Sequence, residues 1–211
     1  MIAVIDYGLG NLFSLSSSLK AVGAKAVITA DPAQIRAARR LILPGVGAFG
    51  DAMARLDSSG LTGLIREQAR QGKPLLGICL GMQLLFQSSR EFGLHQGLGL
   101  LQGDVAPLAV AVAKAGLALK TPHMGWNSLL FQRPDCPLLH ESHEGEYMYF
   151  VHSYYVRNCG ESLTASADYG IMVPALVWQG HIYGCQFHPE KSGAAGLRIL
   201  QAFATGEAAG Q

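Results

Sequence analysis

The sequence is short of charge and lacks the basic runs that mark nucleic-acid-binding proteins. Charged residues make up 15% of the 211 residues, and the formal net charge is +1. No cluster of lysine or arginine provides the positive field that sequence-independent phosphate binding needs, so we do not expect nucleic acid as a partner. Hydrophobic residues reach 49%, which excludes an intrinsically disordered chain. The composition therefore predicts a folded protein.

Long apolar spans and paired cysteines are missing as well. Lys114, Lys120 or glycines interrupt the apolar stretches before they are long enough to cross a bilayer. The N-terminal MIAVIDYGLGN has no basic leader. The four cysteines show no CxxC spacing and no paired histidine cluster, which argues against zinc and against a disulfide framework. We expect a reduced, cytoplasmic enzyme or binding protein with no metal, no cofactor and no membrane span.

The first half of the chain alternates short apolar runs with amphipathic ones. MIAVIDY, AKAVITA and RRLILPG have the composition of buried strands, and the segments between them have the pattern of helices. PLLGI predicts a further parallel strand, after which WNSLLF, YMYFVHSYYV, SLTASADY, PALVWQ and HIYGCQF follow as strands without helices between them. We therefore predict one α/β domain over residues 1–211, with a mainly parallel central sheet between helical layers and an antiparallel extension.

The stretch GICLGMQ, residues 77–83, places a cysteine directly between a strand and a helix. Gly77 and Gly81 flank Cys79 at the spacing of a nucleophile elbow, in which small neighbours permit a tight turn that exposes the nucleophile. A helix beginning near Leu80 would direct free backbone N–H groups towards a thiolate and an oxyanion. The alternative interpretation of this pattern is a buried structural cysteine.

The stretch QFHPE, residues 186–190, offers a base and a group to orient it. In an extended segment, residues two apart point to the same side, so His188 and Glu190 would be near neighbours. Pro189 would keep His188 out of the helical region. The alternative is a histidine at a strand end that is capped by a surface glutamate. An elbow and a base pair in one chain favour catalysis.

The stretch LILPGVGAFG, residues 41–50, ends an apolar strand in a proline and glycine turn. Glycines allow the backbone to approach a ligand closely. The N–H group of Val46 or Gly47 could then complete an oxyanion hole with that of Leu80. The alternative is an ordinary turn between a strand and a helix.

Together, PGVGAF, GICLGMQ and QFHPE resemble, in this order, the motifs of the triad (class I) glutamine amidotransferases. Within that family, YGLGNLFS, PHMGWN, YFVHSYY and QFHPEKS are similar to the glutaminase subunits of imidazole glycerol phosphate synthases. The resemblance covers nearly the whole chain and implies a three-layer, flavodoxin-like fold. It also implies that glutamine is hydrolysed to glutamate and ammonia.

The resemblance assigns roles to individual residues. Cys79 would attack the side-chain amide of glutamine, His188 would protonate the departing ammonia and then activate water, and Glu190 would orient His188. The residues that would hold the substrate are Gly45, Gln83, His152, Ser153 and Tyr154. The residues that would face a partner are His123, Met124, Trp126 and Asn127.

The implied partner is a cyclase subunit with a (β/α)₈ barrel fold, in a heterodimer. The ammonia would pass to this subunit, which makes imidazole glycerol phosphate in histidine biosynthesis. The resemblance also implies that the isolated chain is a poor glutaminase until the partner binds its ligand. One segment departs from the family pattern, because residues 105–121 are longer and more apolar than usual. We expect a hairpin or a short helix there, or alternatively a partner surface.

Two other functions remain open on the sequence alone. A glutaminase of the same fold could serve pyridoxal phosphate or guanylate synthesis, with the same chemistry and a different acceptor. A catalytically silent binding module could also retain the fold. The first alternative would not need PHMGWN or YGLGNLFS, and the second would typically have lost the nucleophile or the base.

Overall fold

The computed structural model describes residues 1–206, which contain fourteen strands and seven α-helices. The strands are β1 (Ile2–Ile5), β2 (Ala26–Thr29), β3 (Arg40–Leu43), β4 (Leu75–Ile78), β5 (Ser88–Ser89), β6 (His95–Gln96), β7 (Asp104–Pro107), β8 (His123–Ser128), β9 (Leu130–Phe131), β10 (Tyr147–His152), β11 (Tyr154–Arg157), β12 (Leu163–Asp168), β13 (Met172–Gln179) and β14 (Ile182–Cys185). The helices are α1 (Leu12–Ala21), α2 (Pro32–Ala37), α3 (Phe49–Ser58), α4 (Leu61–Arg70), α5 (Leu80–Leu84), α6 (Leu108–Lys114) and α7 (Gly193–Thr205). Short 3-10 helices cover Pro137–Leu139, Gly160–Ser162 and Pro189–Lys191.

The central sheet has eight strands in the order β2-β1-β3-β4-β14-β13-β12-β9. The first five strands are parallel, and the remaining three continue the sheet in antiparallel fashion. Four strands form a second sheet in the order β11-β7-β5-β6, and β10 pairs with β8. The predicted parallel sheet with an antiparallel extension is therefore confirmed.

Both faces of the parallel strands are buried, so their sequences are apolar throughout rather than alternating. In β1, Ile2 and Val4 contribute to the core beneath α1 and α7. Ala3 and Ile5 point to the opposite face and contribute to the core with α3 and α4. This alternation has the period of two that is expected of a strand and produces three layers.

The helix after the elbow, α5, is short and ends at Leu84, although the apolar sequence LLF continues beyond it. Its last carbonyls accept hydrogen bonds from a returning loop instead of from a further helical turn. Leu98 N donates to Leu84 O at 2.8 Å, and Leu100 N donates to Leu85 O at 2.8 Å. Tertiary hydrogen bonding thus overrides the helical propensity of the leucines.

The segment YMYFVHSYYV is two strands rather than the one that the sequence predicts. β10 pairs with β8, whereas β11 pairs with β7 in another sheet. The chain changes sheets at Ser153, whose carbonyl accepts a hydrogen bond from Leu108 N at 2.9 Å. This change of sheet leaves residues 152–154 at the edge of a cavity.

Residues 105–121 include a short helix, which is one of the two forms that we expected. α6 begins directly after β7, and its Leu108 and Val112 pack against Val173 of β13. No helix within residues 1–206 is both long and apolar enough to cross a membrane.

Candidate active site

Cys79 lies at a strained turn between β4 and α5. Its backbone has φ 54° and ψ −111°, a region that residues with a side chain rarely adopt. A Cβ atom on Gly77 would lie 2.6 Å from Gly81 O, and one on Gly81 would overlap the carbonyl oxygen of Leu43. Glycine is therefore required on both sides of Cys79 because the turn packs directly against backbone.

Strand β14 brings the second motif beside the elbow. It runs parallel to β4 with Cys185 opposite Ile78, and Cys79 N donates to Cys185 O at 2.8 Å. His188 follows three residues beyond Cys185, and His188 N donates to Tyr149 O at 2.9 Å. The carboxyl ends of two neighbouring parallel strands thus carry the two predicted reactive side chains, as open α/β sheets typically do.

His188 Nδ1 lies 2.9 Å from Glu190 Oε1, and both side chains are buried. The expected route to this contact was wrong, since residues 189–191 form a 3-10 turn and not an extended segment. Pro189 starts the turn because its fixed φ suits the first helical position. Lys191 N then donates to His188 O at 3.0 Å. The turn, and not strand alternation, brings His188 and Glu190 together.

The pKa of His188 is raised to about 9. Burial alone would lower it, but hydrogen bonds to Cys79 and Glu190 and the charges of both partners outweigh burial. The imidazole is therefore protonated at neutral pH. Such a site holds a proton ready beside the sulfur.

The loop after β3 supplies the predicted oxyanion donors. Val46, Gly47 and Leu80 line the same cavity as Cys79. Within residues 1–206, their backbone N–H groups donate no hydrogen bond to another residue. Gly45 belongs to the same loop but is not among the residues that line the cavity. A Cβ at Gly45 would meet Tyr7 Oη at 2.7 Å, so close packing requires glycine there.

The cavity has a volume of about 360 Å³, which is large enough for an amino acid. Its lining consists of Val46, Gly47, Cys79, Leu80, Gln83, Glu91, Pro122, Val151, His152, Ser153, Tyr154 and His188. Gln83 Nε2 donates to Tyr154 O and to Gln186 Oε1, both at 3.0 Å. The structure thus brings four of the five predicted substrate residues to the cavity and leaves Gly45 outside it.

Glu91 also lines the cavity, and the sequence analysis missed it. Its side chain is buried, and Oε2 accepts a hydrogen bond from Phe49 N at 2.6 Å. Burial raises the pKa of the carboxyl, although this bond and the charge of His95 act in the opposite direction. No sequence pattern surrounds Glu91, so only the fold reveals an acidic group at the cavity.

The predicted partner residues on β8 are divided between two faces. Met124 and Trp126 are 62% and 55% exposed, whereas His123 is 3% exposed. Side chains alternate along a strand, so His123 and Asn127 point to the inner side. Asn127 Nδ2 donates to Asp168 O at 2.8 Å. The expectation that all four residues face a partner is therefore corrected for His123, which is buried.

Metal-binding side chains are not grouped in the described part of the chain. Residues 1–206 contain no cluster of three His, Cys, Asp or Glu side chains that could hold a metal ion. Cys79, His188 and Glu190 form a set suited to nucleophilic catalysis with a proton donor.

The profile of the glutamine amidotransferase class-I family matches residues 3–205. This chain belongs to that family, which confirms the predicted family and fold class. Solved structures agree on the fold. A crystal structure of a glutamine amidotransferase superposes with a TM-score of 0.73 at 20% identity, covering 96% of this chain and 99% of that one. PurLQS from Thermotoga maritima superposes with a TM-score of 0.72 at 19% identity, covering 96% of each chain.

Curated relatives narrow the family further. Imidazole glycerol phosphate synthase subunit HisH from Bacillus licheniformis is 53% identical over 204 residues, which cover 96% of this chain and 95% of the relative. The subunit HisH from Bacillus subtilis is 50% identical over 204 residues, with the same coverage. At this identity over nearly the full length, the chain falls within the HisH group, as the motifs predicted.

Proposed function

We propose that this chain is a glutaminase that supplies ammonia to an imidazole glycerol phosphate synthase. The observation that carries the proposal is the arrangement at the cavity. Cys79 stands on a strained elbow beside a buried His188 that Glu190 and Cys79 keep protonated. A buried structural cysteine, the alternative raised by the sequence, would need neither the strained backbone nor the charged partner.

In the proposed reaction, the Cys79 thiolate attacks the side-chain carbonyl carbon of glutamine. The oxyanion that forms accepts hydrogen bonds from Leu80 N–H and from the N–H of Val46 or Gly47. His188 gives its proton to the departing nitrogen, so ammonia leaves and a thioester remains. Neutral His188 then takes a proton from water as the water attacks the thioester, and Cys79 leaves as thiolate.

In the proposed binding mode, further residues of the cavity lining hold glutamine. The Glu91 carboxylate would pair with the α-ammonium group of glutamine, and backbone groups of Ser153 and Tyr154 would hold the α-carboxylate. Gln83 holds Tyr154 in place through its 3.0 Å hydrogen bond. The cavity thereby offers one partner of suitable charge or polarity for each end of the amino acid.

The proposed partner is a cyclase subunit with a (β/α)₈ barrel, in a cytoplasmic heterodimer. The names of the HisH relatives describe them as synthase subunits, which supports a partner for this chain. Exposed Phe13, Met124 and Trp126 are side chains of the type that anchors interfaces. The ammonia would enter the partner and be incorporated into imidazole glycerol phosphate.

The test replaces Cys79 by alanine in a chain purified together with a candidate cyclase. We expect Cys79→Ala to reduce glutamine-dependent synthesis by about 10⁴-fold or more, because the nucleophile is lost. Synthesis from ammonium salts should stay at the parental rate, because the cyclase is unchanged.

The matched control is Cys136→Ala. Cys136 is buried in the core beneath α1 and α7, and burial raises the pKa of its thiol to about 12. This variant should retain glutamine-dependent synthesis. Glutamine-dependent turnover by Cys79→Ala would disprove the proposed nucleophile, and failure to bind any cyclase of this pathway would favour another acceptor.

A further inference from the structure

A chain of hydrogen bonds leads from Asn127 through His123 and His152 to the carbonyl oxygen of Tyr154, and its direction can be derived from one end. His152 Nδ1 lies 2.9 Å from the carbonyl oxygen of Tyr154. A carbonyl oxygen can only accept a hydrogen bond, so His152 Nδ1 must carry a proton. In a neutral imidazole the other ring nitrogen, Nε2, is then an acceptor.

The next member of the chain is His123. Its Nδ1 lies 3.0 Å from His152 Nε2. Burial lowers the pKa of His152 to about 3, and the charges of His123 and His188 also act downward. Burial likewise lowers the pKa of His123 to about 4. Both rings are neutral at pH 7, so His123 Nδ1 carries the proton between them and donates to His152.

Asn127 closes the chain, and a separate contact fixes the orientation of its amide. Ser128 N donates to Asn127 Oδ1 at 2.9 Å, so Nδ2 is the atom that faces the other partners. Asn127 Nδ2 donates to Asp168 O at 2.8 Å and lies 3.4 Å from His123 Nε2. Because His123 Nε2 is an acceptor, Asn127 donates to His123 and His123 donates to His152. His152 in turn donates to Tyr154 O, so all three bonds point the same way.

The two ends of this chain lie in functionally different places. Tyr154 O, at one end, also accepts from Gln83 Nε2 at 3.0 Å and belongs to the segment where the chain changes sheets. Asn127, at the other end, is on β8, whose outer face exposes Trp126. His123 is fixed between them by two stacked rings, at centroid distances of 4.1 Å to Tyr169 and 4.8 Å to Phe150.

We propose that Asn127, His123 and His152 form a neutral hydrogen-bonded relay that positions the Ser153–Tyr154 segment for glutamine and ties it to strand β8. These three are positioning residues, since they act on the substrate through the backbone of Tyr154. The assignment of glutamine as the ligand rests on the proposed function. The direction of the relay follows from the hydrogen-bond geometry together with the neutral state of both rings.

The direction is tested by nitrogen-15 NMR of the histidine rings in the full-length chain at pH 7. Long-range proton–nitrogen correlations distinguish a protonated Nδ1 from a protonated Nε2. We expect His123 and His152 both to carry the proton on Nδ1 and none on Nε2. A proton on Nε2 of either ring would overturn the relay. This measurement does not depend on any activity, so it is decisive even if the proposed function fails.

The positioning role is tested by His123→Phe, which keeps an aromatic ring between Phe150 and Tyr169 and removes both polar atoms. Glutamine binding is measured by titration calorimetry in a Cys79→Ser background, where the substrate is not consumed. We expect the dissociation constant to rise about tenfold, because a buried acceptor on His152 loses its donor. The matched control is His143→Phe, the same substitution at an exposed histidine, which should leave the dissociation constant unchanged.

The outcomes separate the two proposals. Equal glutamine affinity in His123→Phe and the parent would overturn the positioning role. A raised dissociation constant with an unchanged thermal midpoint would support it, since a general loss of stability would lower both affinity and midpoint. If the parental Cys79→Ser chain bound no glutamine at all, the proposed function would be overturned, and with it the role of the relay towards glutamine.

Discussion

Two buried histidine systems border the same cavity and are held in opposite protonation states. His188 faces the Glu190 carboxylate and the Cys79 sulfur, and its pKa is raised to about 9. His152 faces a second histidine and a backbone carbonyl, and its pKa is lowered to about 3. Burial acts downward on both rings. The charge of the partner therefore decides the protonation state, and burial alone does not.

The difference in protonation state gives the two histidines different roles at the same cavity. A charged histidine can give and take a proton during a reaction. A neutral histidine between a fixed donor and a fixed acceptor has one defined tautomer and fixes the positions of the groups that it bonds. The two systems also influence each other, since the charge on His188 is one of the causes that lower the pKa of His152.

The largest effect should come from disrupting the backbone turn that holds Cys79 beside His188. In Gly81→Ala, the new Cβ would overlap Leu43 O, which belongs to the backbone of a central strand and cannot rotate away. We expect glutaminase activity below detection and a loss of about 4 kcal/mol in unfolding free energy, measured by urea denaturation.

The control for this variant is the same substitution at Gly63 in α4. Nothing lies within 4 Å of a Cβ built at Gly63. Alanine in a helix interior is favoured over glycine by about 0.5–1 kcal/mol, so Gly63→Ala should stabilise the chain and keep its activity. A Gly81→Ala variant as stable as the parent would show that the elbow tolerates a side chain.

The second variant, Glu190→Gln, removes the charge that distinguishes the two histidine systems. We expect kcat/KM for glutamine to fall by about 10²–10⁴-fold, because His188 loses the carboxylate that orients it and stabilises its proton. The pKa of His188 is raised above its ordinary value, so the active protonated form is lost as pH rises through about 9.

Glu190→Gln should move this alkaline loss of activity to lower pH, since the hydrogen bond and the charge of Glu190 both raise the pKa. The measurement is a pH profile of kcat/KM between pH 6 and pH 10. Glu144→Gln, at an exposed glutamate, provides the matched control and should leave the profile unchanged. An unmoved alkaline limb in Glu190→Gln would show that Glu190 does not set the pKa of His188.

The same contrast explains which features the sequence could predict. The elbow was predictable because Gly77 and Gly81 lie only two residues from Cys79 in sequence, and the tight turn requires them. The parallel order of the central sheet was predictable because apolar runs alternate with amphipathic ones. Glu91 was not predictable, since its place at the cavity depends on a loop whose hydrogen bonds are with distant residues.

The neutral relay was also beyond the reach of the sequence. His123 and His152 lie on different strands and meet only because β8 pairs with β10 in a register that sets them opposite one another. PHMGWN indicated a partner surface, and it could not show that alternate residues of the motif point inward. Motifs in one segment are thus predictable, whereas contacts between segments depend on the register of the folded chain.

The smallest effect concerns stability in mild acid, where the two systems should again behave in opposite ways. The groups that face the neutral pair from the surrounding elements are Asn127, Tyr169, Tyr154 and His188. A histidine with a lowered folded pKa binds no proton in the folded state while its unfolded counterpart does, so stability falls as pH drops below about 6.5. His188, whose folded pKa is raised, stays protonated throughout this range and its contribution is fully present.

For each neutral histidine, the unfolding free energy should therefore fall by about 2 kcal/mol as pH drops from 7.5 to 5. His123→Phe should lose less stability over this interval than the parent by about that amount, measured by urea denaturation at both pH values. His143→Phe, at the surface, should follow the parent. Parallel losses in His123→Phe and the parent would mean that His123 becomes protonated in the folded chain. The neutral pair would then be a second charged system, and the contrast with His188 would disappear.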